Sequence, residues 1–359
     1  MGVSVYSYPT TSPNDVAGLK RILKNIPISE IGRIALLGKT EGPATINDYS
    51  RELALEAAER AIMQYGGEQL LSRTTSIFST GCEGILSPLV YVLISTPNEK
   101  VQKNGPPQLV MGGAQTRKLN PKELITNIQV EEVAAAVDMA KKEAGLKSDE
   151  TSLVFVKSPI LTPNDAALTG DPQVMARAGI SGLSRGAAAL GVALALDEID
   201  QQILEQPIIG QDFSHYATRA MTFSGTEVKH CEVLVLGNRP GIKGTSRIYS
   251  KQLTDILDIA SLKDLFCQAG CSLNIKGELQ DNSIIQAVML KAGVAPDGYL
   301  RGERTTVYQS ELDADKHMRA AASGVVGSLL GTGRIFVSGG SEHQAIPGGG
   351  ICACIVNTK

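Results

Sequence analysis

The stretch RIFVSGGSEH, Arg334–His343, decides the fold. Ile335, Phe336 and Val337 read as a short buried strand, and the run breaks at Ser338-Gly339-Gly340 with an acidic residue close behind. SIFSTGCEG (Ser76–Gly84) and AMTFSGTEV (Ala220–Val228) have the same build, with Ser79 and Ser224 at the break. Each leads into another strand-like run: GICACIV, LVYVLIS or CEVLVLG.

Upstream of each serine strand lies an apolar run ending in lysine: RIALLGK (Lys39), SLVFVK (Lys157) and IIQAVMLK (Lys291). Between lysine and serine comes an Ala/Leu-rich helical segment with a basic residue near its start: Arg51, Arg185 and Lys316. The lysine-to-serine separations are 40, 67 and 47 residues, so insertions differ while the order holds. Each set opens with an extended segment and a helix: VSVYSYP with NDVAGLKRILK, QLVMGGAQT with EEVAAAVDMAKKEAG, and SRIYSK with SLKDLFCQAG. A repeated order of elements is the signature of a repeated structural unit. The chain therefore reads as three α/β units, 1–104, 105–244 and 245–359, packed by pseudo-threefold symmetry. Their boundaries fall in Gly/Pro/Lys-rich stretches near 97–107 and 237–246.

Composition narrows the function. The 359 residues carry a net charge of −3, 4% aromatics and no tryptophan, which argues against a nucleic-acid surface. No run approaches the roughly 20 apolar residues of a membrane span. The N-terminus lacks the basic and apolar regions of a signal peptide, so a cytoplasmic protein is expected. The six cysteines, spaced unlike a zinc ribbon, read as free thiols.

A lysine that ends an apolar strand is unusual, because lysine is seldom fully buried without a partner or a task. Three in matching places suggest one shared cavity. There, burial and neighbouring positive charge depress the amine pKa values, and a neutral lysine can take a serine proton. Glycine turns after the serines can present backbone N–H groups to a developing oxyanion. Arginine suits carbonyl oxygens as a planar donor.

The motifs GKTEG (38–42), NDYSR (47–51), STGCEGILSP (79–88), SRGAAALGVALA (184–195), APDGYLRG (295–302) and SGGSEHQAIPGGG (338–350) resemble the cyanuric acid hydrolase and barbiturase family along nearly the whole chain. The resemblance implies a prism-like assembly of three α/β units around a central site that opens cyclic amide rings. It implies Lys157 and Ser224 as base and nucleophile. Lys39, Ser79, Thr80, Gly225, Lys291, Ser338 and Gly339 then line the site, and Arg51, Arg185 and Lys316 hold substrate carbonyls. It further implies a homotetramer, a small cyclic amide substrate and no required cofactor. A divalent cation is expected near the C-terminal glycine loop, at Ser341, Gln344, Ala345, Ile346 and Gly349.

Three departures qualify these expectations. The register S-x-G-x-E fits Ser79, Gly81, Glu83 and Ser338, Gly340, Glu342, but it puts Phe223 at the serine position of the second unit. Either a one-residue deletion and a local bulge restore Ser224, which is the expectation adopted, or the usual nucleophile is missing. In the second case Ser79 or Ser338 takes over, or hydrolysis is lost. Lys316 stands where the family has arginine, and Gly293 where it has a cation-assisting glutamate. A deaminase or isomerase on the same fold, or a non-catalytic ligand-binding homologue, are the alternatives.

Overall fold

A computed structural model describes residues 2–97 and 105–358. The lysine-bearing middle of the first expected boundary, 98–104, lies outside the described residues.

Three four-stranded sheets share one plan. The first orders β1 (Val3–Pro9), β4 (Leu89–Ser95), β2 (Arg33–Thr40) and β3 (Thr74–Thr80) side by side. The second orders β5 (Gln108–Gln115), β8 (Glu232–Arg239), β6 (Thr151–Pro159) and β7 (Ala220–Gly225). The third orders β9 (Ser246–Leu253), β12 (Gly350–Asn357), β10 (Ile285–Ala292) and β11 (Phe336–Gly339). Each sheet falls inside one of the three expected units.

In every sheet the lysine strand and the serine strand run parallel. Parallel neighbours need a crossover, and a helix supplies each one. These helices are α2 (Ser50–Leu71), α4 (Ser181–Ala195) and α6 (Ala314–Leu330). The closing strand then pairs antiparallel with both the lysine strand and the opening strand. Helices α1 (Ala17–Lys24), α3 (Asn127–Ala144) and α5 (Ile259–Gln268) join opening strand to lysine strand. Two short helices, Pro163–Ala167 and Pro172–Ala176, account for the longer second crossover.

The side-chain period of two sorts each strand between two cores. On β2, Ile34 and Leu36 pack outward against helices of their own unit, while Ala35 and Leu37 join an inner core shared by all three sheets. That inner core also takes Leu153 and Phe155 from β6 and Ala287 and Met289 from β10. The next inward position on each strand is a lysine: Lys39, Lys157, Lys291. On the serine strands the inward series runs Ile77 to Ser79, Met221 to Phe223, and Phe336 to Ser338. The inner core thus ends at one level in three lysines, two serines and a phenylalanine.

Candidate active site

Each of the three lysines is only 1% exposed. Lys39 Nζ donates to the Thr80 carbonyl at 2.7 Å and lies 3.2 Å from Ser79 Oγ. Lys291 Nζ repeats this with the Gly339 carbonyl at 2.7 Å and Ser338 Oγ at 3.1 Å. The two hydroxyl oxygens stand 3.3 Å apart. Lys39, Ser79, Ser338 and Lys291 therefore form one buried hydrogen-bonded row across the boundary between the first and third units.

The second unit breaks the pattern and corrects the Lys157–Ser224 expectation. Parallel pairing sets Lys39 opposite Ser79 and Lys291 opposite Ser338, but Lys157 opposite Phe223. No bulge restores Ser224, which pairs with Ser158 at the register of Thr80 and Gly339. A one-place slip along a strand reverses the side chain, so Ser224 Oγ turns to the first turn of α4 and donates to the Ser181 carbonyl at 3.1 Å. Lys157 Nζ meets the Phe78 and Ser224 carbonyls at 2.8 and 3.3 Å and the Glu227 carboxylate at 2.6 Å. Among the described residues it touches no hydroxyl.

The basic residues form a cycle between units. Arg319 of the third unit grips Glu83 of the first through two hydrogen bonds, of 2.5 and 2.7 Å. Arg185 of the second grips Glu342 of the third at 2.9 and 2.7 Å. Arg51 of the first reaches Glu227 of the second at 3.5 Å. This corrects Lys316: it lines the cleft, but the buried counterpart of Arg51 and Arg185 is Arg319, one helical turn on. Gly81 and Gly340, both at positive φ, leave room for this cycle. A Cβ there would fall 2.7 Å from Arg319 Nε and 2.2 Å from Arg185 Nη2. At Gly225 a Cβ would instead strike the Glu227 carboxylate. Arg51 Nε and Nη2 are buried with no hydrogen-bond partner among the described residues.

These groups line a cleft of about 290 Å³. Arg51, Ser79, Thr80, Lys157, Arg185, Ser224, Lys291, Lys316, Ser338 and Gly339 all border it, together with Phe223, Asp315 and Arg319, which the sequence reading passed over as site residues. Lys39 stands directly behind Ser79. A signal for Arg319 was present: Arg-Ala-Ala-Ala at 319–322 matches Arg-Gly-Ala-Ala-Ala at 185–189 better than anything around Lys316 does.

Burial sets the protonation of the lysines. Desolvation, helped by the Arg319 charge, brings Lys39 down to about 7. Desolvation and Arg185 hold Lys291 well below the ordinary lysine value. Lys157 comes down to about 8 through desolvation, opposed by the contact with Glu227. Lys157 is thus ion-paired, whereas the two serine-bound lysines form no ion pair with a carboxylate among the described residues and are held toward their neutral form.

Most oxygens of the C-terminal loop expected to hold a divalent cation accept hydrogen bonds from the protein. The Gly349 carbonyl already accepts from Ser341 Oγ and from the Gly293 amide, both at 3.0 Å. Gln344 Oε1 accepts from the Thr222 amide at 2.7 Å, and the carbonyls of Ser341, Gln344 and Ile346 each take a protein donor. Ala345 is buried and has no polar side chain, so only its backbone carbonyl could face an ion. A side chain at 293 would meet Ser341 Oγ at 2.1 Å, and no cluster of three acidic, His or Cys groups suits a metal among the described residues. Exhaustive chelation is therefore expected to leave the melting temperature and activity unchanged, while Ser341→Ala lowers stability by about 1 kcal/mol. Thermal melts with and without chelator check both.

Comparison with known proteins agrees with this geometry. The family described as amidohydrolase ring-opening protein matches residues 4–357. A cyclic amide hydrolase of Azorhizobium caulinodans is 35% identical, covering 99% of this chain and 100% of its own length. A cyanuric acid amidohydrolase of Pseudomonas sp. strain ADP is 32% identical, covering 98% of each chain. A solved cyanuric acid hydrolase superposes with a TM-score of 0.90 at 30% identity over 99% of both chains. With three like sheets, buried lysine–serine pairs at their common end and relatives matched from end to end, the chain belongs to the ring-opening amidohydrolase family.

Proposed function

We propose that this protein opens a cyclic amide or imide ring by hydrolysis, through an acyl-enzyme on Ser338 with Lys291 as base. The carrying observation is the buried row Lys39–Ser79–Ser338–Lys291. Two lysines joined through two hydroxyls do not both stay charged, so one gives up its proton and the other keeps it. With Lys39 charged and Lys291 neutral the row has one sense: Lys39 donates to Ser79, Ser79 to Ser338, and Ser338 to Lys291.

Lys291 takes the Ser338 proton as the oxygen attacks a ring carbonyl. The tetrahedral oxyanion is held by the charged Lys39–Ser79 side and by backbone N–H groups of the glycine turns. Collapse breaks the C–N bond, and the leaving nitrogen receives the proton from Lys291. Water, deprotonated by Lys291, then hydrolyses the ester and frees Ser338. Arg51 orients a substrate oxygen, while Lys157 stays ion-paired with Glu227. The shared sheet plan supports a pseudo-threefold prism with this site on its axis. A homotetramer is the matching assembly, measurable by sedimentation. Among the described residues no helix is long and apolar enough to cross a membrane.

Incubation with cyanuric acid, barbituric acid and simple cyclic imides, followed by mass spectrometry, tests this reading. Gain of one water with ring opening supports it. Phe223 in the serine register favours a second reading, proton transfer or deamination by the lysines alone. Ammonia release with the ring intact, or isomerisation without added water, would establish that instead.

A further inference from the structure

The geometry points to a substrate whose third edge is hydrocarbon: a cyclic imide with its two carbonyls on Ser79 and Ser338 and its C–H edge against Phe223. The inference deepens the ring-opening reading and rests on it. Two walls of the cleft end in hydroxyls, and the third ends in a phenyl ring that is 3% exposed. That ring cannot swing aside. It stacks on Phe155 with centroids 6.2 Å apart and meets the edge of Phe336 at 5.5 Å. Both neighbours belong to the inner core.

A phenyl face is electronegative and offers no donor, so a carbonyl oxygen placed on it is repelled and loses its hydrogen bond. A C–H edge loses nothing there and gains contact area. The lysine of this wall no longer compensates, since Lys157 is taken up by Glu227 at 2.6 Å. Arg51, whose buried Nε and Nη2 make no hydrogen bond among the described residues, still offers a donor to a carbonyl that flanks the hydrocarbon edge. A ring with three equivalent carbonyl edges matches three hydroxyl walls; this cleft matches an imide.

The test compares glutarimide with cyanuric acid on wild type, Phe223→Ser and Phe223→Leu. Wild type is expected to favour glutarimide in kcat/KM by about 10- to 100-fold, the discrimination an apolar wall gives against a polar group. Phe223→Ser should cancel or reverse that ratio, and Phe223→Leu, which keeps the wall apolar and guards against simple misfolding, should preserve it. Equal use of both rings by wild type, or an unchanged ratio in Phe223→Ser, overturns the inference and leaves ring opening standing. If neither ring is opened, the hydrolytic reading fails. The dissociation constants from titration calorimetry then decide the edge by the same order, and binding of neither ring overturns it.

Discussion

Ser338→Ala is expected to lower kcat by a factor of about 10⁴ or more, as loss of a nucleophile does. Ser79→Ala should cost less, about 10²- to 10³-fold, as loss of one oxyanion donor does. Ser224→Ala should change kcat little, because its hydroxyl donates to the Ser181 carbonyl and never meets a lysine. The choice of Ser338 over Ser79 rests on the sense of the row: Ser79 Oγ donates to Ser338 Oγ, which leaves the Ser338 hydrogen for Lys291. Both lysines are fully buried, and burial holds both below the ordinary lysine value. One effect opposes this: Lys291 Nζ sits 4.8 Å over the Phe223 ring, which favours its charged form. A desolvated cation–π contact is worth about 2 kcal/mol. Lys39 Nζ lies over the Phe336 ring at 6.0 Å, so a contact of the same kind acts on both lysines and full burial opposes it at each. Peptide mass spectrometry after quenching with a slow ring substrate should find the acyl group on Ser338. Retained turnover in Ser338→Ala with an adduct on Ser79 would reverse the assignment.

The parts that were legible share a physical cause. An apolar strand ending in lysine stands out because burial of an amine is rare, and all three examples sit at the inner end of their strands. The sheet plan was readable from the repeated order of elements, since a parallel pair demands a crossover. Two errors came from ignoring period. At Phe223 the inward series Met221, Phe223 parallels Ile77, Ser79, so alternation alone places the phenylalanine in the hydroxyl position. Expecting a bulge for Ser224 favoured chemistry over register. At Lys316 the error was of helical phase. Counting from the helix start ignores that α2, α4 and α6 begin at different distances from their arginines, whereas the small residues after Arg185 and Arg319 record how each helix packs. The carboxylate partners were harder to see, because Arg319 and Glu83 are 236 residues apart and meet only when the first and third units close on each other.

That closure makes Arg319→Ala the most informative change outside the serines. Arg319 is 4% exposed and donates two hydrogen bonds to Glu83. Removing Arg319 leaves the partly exposed Glu83 carboxylate without its partner and costs about 1.5–3 kcal/mol, as hydrogen bonds to charged groups do, measurable by denaturant titration. The same pair sets the neighbouring amine. The Arg319 charge pushes the Lys39 pKa down and the Glu83 charge pushes it up. Arg319→Ala removes the first influence and leaves the second unopposed, so Lys39 keeps its proton to a pH above 7. Because the proposed row needs Lys39 charged, the alkaline limb of kcat/KM should move upward in the residual activity of this variant. Glu83→Gln should move it downward. Lys316→Ala, on the cleft wall and outside the Arg–Glu cycle, should leave that limb in place. Arg319 and Glu83 variants that lose stability without moving the limb in opposite directions would reduce the pair to a clamp between units and remove Lys39 from the reacting row.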